Sequence, residues 1–196
     1  KLFITPGVPE PASTFVPSFL SLEEISTAVS EGARLGIPTA AHCIGGQGLK
    51  DCIDGGVDVI EHMYMASEQD VERLAASRCV VDLTSGIFLD PSREEFLSPA
   101  NALKVRLNRS RVRENVARII KARLPFVLGT DAYHGFLYRE VGYAVELGAA
   151  PVTAIQGVTS RAARVCRLED RIGKLENGME ADIIAVEGNP LEDVSR

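Results

Sequence analysis

Short apolar runs alternate with helical patterns along most of this chain, and a polar residue of a metal-ligating type stands just beyond three of the runs: His42, His62 and Asp131. Pro38-Thr39-Ala40-Ala41 leads into His42, Val57-Asp58-Val59-Ile60 runs into Glu61-His62, and Pro125 to Leu128 leads into Gly129-Thr130-Asp131. Helix signals fill the intervals. Ser21-Leu22-Glu23-Glu24 reads as a capping box, with Ser21 at the N-cap, Glu24 at N3 and Gly36 as the stop. Ser67 to Asp70 repeats the cap ahead of Val71 and Leu74. Helical patterns also cover about 47–54, 101–122, 137–147, 151–158 (opened by Pro151 at N1) and 160–167. Strand and helix at this spacing mean parallel strands joined by crossover helices. Doubly wound sheets and β/α barrels both satisfy that rule. The barrel is favoured, because catalytic residues from several strands gather at the C-terminal strand ends of a barrel.

The chain has 196 residues, a formal charge of −6, 45% apolar and 24% charged residues, which excludes intrinsic disorder and suits one domain or one domain plus a fragment. The acidic balance argues against nucleic acid as the main partner. No apolar run approaches the ~18 residues of a membrane span. No secretory leader is read at the start, where Lys1-Leu2-Phe3-Ile4 gives way to Thr5-Pro6-Gly7. Cys43, Cys52, Cys79 and Cys166 form no C-x-x-C pair, which argues against a structural zinc module and for reduced thiols in a cytoplasmic protein.

Two imidazoles and a carboxylate on strand ends can converge on one point and suit a borderline divalent ion such as Zn²⁺. His42 and His62 lie twenty residues apart, one strand–helix–strand step, so they fall on neighbouring strands. The alternative is two buried histidines satisfied by backbone groups, with Asp131 as a helix cap. His134, three residues past Asp131, is either a substrate contact or an exposed loop residue, and Tyr64 either lines the same pocket or packs. Thr84, just past the Cys79–Leu83 run, either lines the pocket or, more often for such a residue, caps a turn, and Gly45-Gly46 reads as a connection leaving room above a metal. Lys104, Arg106, Arg109, Arg111, Arg113, Arg118, Lys121 and Arg123 form a basic run with only Glu114 to oppose it. Such a run is more often a solvated helix face than an anion site. The segment Ala181-Asp182-Ile183-Ile184-Ala185-Val186 reads as a strand with no obvious partner.

The segments Ala40-Ala41-His42-Cys43, Gly56-Val57-Asp58-Val59-Ile60-Glu61-His62 and Leu128-Gly129-Thr130-Asp131-Ala132 resemble the amidohydrolase superfamily. So do Asp170-Arg171-Ile172-Gly173-Lys174-Leu175, Gly178, Ala181-Asp182 and Gly188-Asn189-Pro190-Leu191. The branch they look most like holds imidazolonepropionase-like and Xaa-Pro-dipeptidase-like hydrolases. The resemblance implies an α/β fold: a partial TIM-like (β/α) barrel, about strands 4–8, over residues 1–170. Residues 171–196 would be one limb of a small β-sandwich at the C-terminus. It implies a divalent metal centre, one or two ions, Zn²⁺ foremost, with His42 as the fifth-strand ligand, His62 as the sixth-strand ligand and Asp131 on the eighth strand. Lys1 would match the fourth-strand lysine, which is often carboxylated. Asp131 would be the catalytic acid and base, with His134 and Tyr64 beside the substrate.

The family's first-strand H-x-H occurs nowhere in the sequence. The chain is thus expected to need a missing N-terminal half or a companion chain, and a homo-oligomer could cover its open barrel edges. The implied activity is metal-dependent hydrolysis of an amide, dipeptide or cyclic-amide C–N bond in a small substrate. The alternatives are a non-catalytic relic serving as an interaction domain, and an anion-binding module built on the arginine-rich helix.

Overall fold

Five parallel strands form one sheet whose order follows the chain: β1 (Leu2–Phe3), β2 (Ala40–Cys43), β3 (Val59–His62), β4 (Val80–Leu83) and β5 (Phe126–Leu128). The structure is a computed structural model describing residues 1–131 and 134–195. The register pairs Phe3 with His42, Cys43 with His62, Glu61 with Asp82 and Leu83 with Leu128. Sequential order with parallel pairing throughout matches an arc of a β/α barrel. Among the described residues β1 and β5 each have a neighbour on one side only.

The crossovers are α1 (Leu22–Arg34), α2 (Gln47–Asp54), α3 (Glu68–Ala75), and, between β4 and β5, α4 (Gly86–Leu89), a 3₁₀ turn (Pro91–Phe96) and α5 (Pro99–Lys121). After β5 come the 3₁₀ turn His134–Phe136, α6 (Leu137–Glu146), α7 (Pro151–Val158) and α8 (Ser160–Val165). Both expected capping boxes form: Ser21 with Glu24, and Ser67 with Asp70. α4 and the two 3₁₀ turns escape a sequence reading because each is too short to show a period.

Ile4, Ala41, Cys43, Ile60, Val81 and Leu83 are buried with Ile25, Leu49, Val105, Val112, Val116 and Ile119 of the helices in one continuous core. The helices therefore cover the convex side, and the strand ends are left to polar chemistry. No helix of the described residues is long and apolar enough to cross a membrane.

Residues 181–186 form no strand, which corrects the sequence reading. An extended segment becomes a strand only by pairing its backbone groups with a neighbour, and among the described residues it has none; Ile184 is 86% exposed.

Candidate metal centre

His62 ends β3 and His42 stands one residue before the end of the adjacent β2, so the pairing of Cys43 with His62 sets the two histidines one position out of step. Their rings nevertheless meet edge to face with centroids 4.4 Å apart. The reason is local. His62 and Met63 take φ of 81° and 54°, so β3 breaks into the left-handed region at the histidine itself. Non-glycine residues rarely adopt it, and such conformations cluster at functional sites. The turn is held from outside: Asn115 Nδ2 on α5 donates to the Tyr64 carbonyl at 2.8 Å, and Met65 N donates to the Ile44 carbonyl at 2.6 Å.

Both histidines are buried. Burial, the neighbouring His42 and Lys1 push the His62 pKa down to about 3. Burial also lowers His42, with Lys1 adding to it and the Pro6 carbonyl, Asp131 and Glu61 opposing. Two neutral imidazoles side by side is the state a metal needs. His62 Nδ1 lies 2.7 Å from Thr84 Oγ1. The Tyr64 hydroxyl donates to the Thr84 carbonyl at 3.0 Å and shares a 2.6 Å bond with Thr84 Oγ1. All three protons are satisfied if His62 Nδ1–H donates to Thr84, Thr84 to Tyr64, and Tyr64 to the carbonyl. That network leaves His62 Nε2 as a free lone pair. On the other side, the Phe3 ring stacks on His42 with centroids 4.1 Å apart, while His42 Nε2 lies 3.2 Å from the Pro6 carbonyl.

Of the two readings the sequence left for Thr84, the turn cap gives way to a place beside the histidines, where it supports His62. Its place one residue past β4 was the available signal, since His62 and Asp131 occupy comparable strand-end positions. Tyr64 is fully buried behind Thr84 and packs edge to face on Phe88. This geometry makes it a support of His62 rather than a wall open to substrate.

Lys1 lies across from β3, and its ammonium is ion-paired with Glu61 Oε2. The same oxygen is 3.7 Å from His62 Nε2. As an ammonium, Lys1 has donors only and cannot ligate a metal; it reaches the histidines by way of Glu61. Asp82, opposite Glu61 in register, keeps Oδ1 buried without a hydrogen-bond partner. Burial above all, then Glu61 and Asp131 against the opposing Lys1, raises its pKa to about 7. Gly129 leaves room for it: a Cβ there would stand 2.9 Å from both Asp82 carboxylate oxygens and would push that side chain aside.

Asp131 follows β5 with φ 49° and is exposed, and its charge acts on His42, Tyr64 and Asp82. The side chain of His134 lies outside the described residues. Among the described residues no group of three or more His, Cys, Asp or Glu side chains closes into a metal cage. The pair of imidazoles fits a divalent ion in type, protonation and burial, and supplies part of a ligand set.

Two other sequence expectations find their physical role here. Gly45 and Gly46 make room for the chain rather than for a metal: a Cβ would meet the Met65 carbonyl or Val16 Cβ at 2.9 Å. The basic run on α5 is answered by acids from other segments: Lys104 by Glu10, Arg109 by Glu94, Arg113 by Glu146 and Arg118 by Glu68.

Residues 12–196 match the amidohydrolase family. Ochratoxinase of Aspergillus niger is 34% identical over 190 residues, spanning 91% of this chain and 38% of the relative. Imidazolonepropionase of Desulfotalea psychrophila is 24% identical over 179 residues, 86% of this chain and 38% of that protein. The crystal structure of a Xaa-Pro dipeptidase with methionine bound in its active site superposes with a TM-score of 0.82 at 30% identity, over 98% of this chain and 49% of its own. The chain thus spans well under half the length of these two curated relatives.

Proposed function

This chain belongs to the amidohydrolase family, and on that premise we propose that it forms the His42, His62 and Asp131 side of a metal-dependent centre that hydrolyses an amide, dipeptide or cyclic-amide C–N bond. The observation that carries the reading is the buried, neutral imidazole pair, 4.4 Å apart at adjacent strand ends, with one lone pair freed by Thr84. When bound, a divalent ion such as Zn²⁺ would polarise the substrate carbonyl and acidify a water.

The chain's own groups divide the remaining work. His42 and His62 hold the ion with neutral nitrogens. Thr84 and Tyr64 keep His62 in the tautomer that presents Nε2. The Asp131 carboxylate, open to solvent, takes the proton of the attacking water and returns it to the departing nitrogen. His134 contacts the substrate. Lys1 joins the ligand set only if carboxylation turns its donor head into an acceptor, which would also end its pairing with Glu61. The rest of the ligand set comes from an H-x-H on another part of the protein or on a companion chain. Residues 1–170 are the barrel portion, and 171–196 would become the limb of an accessory β-sandwich by pairing with a segment outside this chain's own sheet. A small amide or dipeptide substrate is in keeping with the Xaa-Pro dipeptidase likeness. Four free cysteines suit a reducing, cytoplasmic setting.

One observation favours a second reading, a non-catalytic relic: no third ligand closes on the imidazoles among the described residues. Metal content after size-exclusion chromatography, with zinc titration of the parent, His42→Ala and His62→Ala, separates the two. We expect close to one equivalent in the parent and at least a tenfold loss of affinity in each variant. Equal affinity in all three proteins would remove the metal reading.

A further inference from the structure

The loop that carries Asp131 rests on an ion pair sealed inside the fold. Arg93, on the Pro91–Phe96 turn, is 0% exposed and Glu140, on α6, is 1% exposed. Arg93 Nη2 stands 2.9 Å from Glu140 Oε1. Both Glu140 oxygens accept from Gly86 N at 3.0 Å. Arg93 Nη1 donates to the Thr130 carbonyl at 3.3 Å. Its Nε faces Asp90 Oδ2 at 3.7 Å, an oxygen that also accepts from Arg139 Nη1 at 2.6 Å. One guanidinium thus ties together the start of α4, the 3₁₀ turn, α6 and the end of β5.

Stability is a poor reason for such a pair. Taking both charges out of water costs about what their attraction returns, and an apolar pair of similar volume commonly serves as well. What an apolar pair cannot do is grip a carbonyl. The Thr130 carbonyl belongs to the peptide plane that ends at Asp131 N, and that plane is rigid. Holding the oxygen restricts the rotation that sets Asp131 φ, found at 49°, in the left-handed region that aspartate visits more readily than most residues but that still has to be held against the extended alternatives. Lysine could not replace the planar fork, which presents donors to a carboxylate and a carbonyl at once. Gly86 is a second, independent sign that the pair is built in: a Cβ there would lie 2.5 Å from Arg93 Cζ and Nη2, so a larger residue would have to displace the guanidinium from this seat.

We propose that Arg93, seated by Glu140 and Gly86, is the positioning residue of Asp131: it locks the Thr130–Asp131 peptide plane and so aims the Asp131 carboxylate toward His42 and His62. The proposal rests on the reading of Asp131 as a member of the metal centre. Arg93 touches no reacting atom and acts through the backbone alone.

The test uses the full chain with isotope labels and Co²⁺ as the probe. The variants are the apolar double Arg93→Met/Glu140→Leu, the conservative Arg93→Lys, and Asp131→Asn. Three quantities are read: the thermal midpoint, the backbone chemical shifts of Thr130 and Asp131, and the visible spectrum and affinity of the cobalt complex. The double variant is expected to stay folded with the thermal midpoint lowered by several degrees, since Gly86 N–H and the Thr130 carbonyl lose these partners, to move Asp131 shifts out of the left-handed range, and to weaken cobalt at least tenfold with an altered spectrum, the change also expected of Asp131→Asn. Arg93→Lys should fall between and decides the matter if the double variant does not fold. Parent-like Asp131 shifts in a folded Arg93 variant would overturn the proposal. If Asp131→Asn leaves the cobalt spectrum unchanged while Arg93 variants still move the Asp131 shifts, the positioning stands and the metal role of Asp131 falls.

Discussion

Asp82 faces Glu61 across one register position, with one carboxylate oxygen buried and unbonded. Its carboxyl ordinarily ionises near 3.8, but in the fold it holds its proton to about 7. The stability this group contributes is whole below the unfolded value and is lost as pH climbs through the folded one. Asp82→Asn is therefore expected to match the parent near pH 3 and to exceed it at pH 8, by on the order of 2–4 kcal/mol in denaturant unfolding. A gap that widened toward acid would mean a cation pairs with Asp82 in the fold. At this scale the placement of His42, His62 and Asp131 at or near strand ends was legible, because such placement can be counted along the chain. Thr84, Asp82 and Arg93 were not, because their roles arise from what lies across a strand pair or under a loop. No spacing along one segment encodes a partner 22 residues away, as for Thr84 and His62, or 37 away, as for Arg93 and Thr130.

α5 shows what an element adds to its residues. Asn108, Arg111, Asn115 and Arg118 recur at helical spacing, so they share one face. They donate to the carbonyls of Pro9, Ser13, Tyr64 and Ala66. The sequence reading took the basic members as a solvated face, since charge was visible and loop carbonyls were not. One helix thus clamps the loops after β1 and β3, and the second loop contains the left-handed turn at His62 and Met63. Asn115→Leu would leave the Tyr64 carbonyl without this donor and is expected to cost about 1–3 kcal/mol. Amide exchange should quicken at Met63 and Met65, which donate to the Cys43 and Ile44 carbonyls, while α1 keeps its protection. Uniform acceleration over the whole chain would instead mark Asn115 as a general packing residue. Helix bounds were the most legible part of the fold, because a cap such as Ser21 with Glu24 is a local bond written within four residues.

The tail behaves as the converse at the scale of the whole molecule. Leu175, Ile183, Ile184, Val186 and Leu191 are exposed, and at the far edge of the sheet so are Phe3, Phe15 and Phe19. Apolar alternation made residues 181–186 look like a strand, yet a strand is a property of two segments, and no partner for this one exists among the described residues. Apolar surface with unpaired strand edges favours association between chains. The parent is therefore expected to sediment with a concentration-dependent coefficient. Ile183→Lys/Ile184→Lys should shift that dependence toward the monomer. Burying an isoleucine is worth about 1.5–3 kcal/mol, so a packed tail would lose several kcal/mol in this variant. At 64% and 86% exposure there is little burial to lose, and the thermal midpoint should stay put. A drop of many degrees would show instead that the tail packs on this chain in solution. A steady midpoint with reduced association would leave residues 181–186 as a surface that another segment covers.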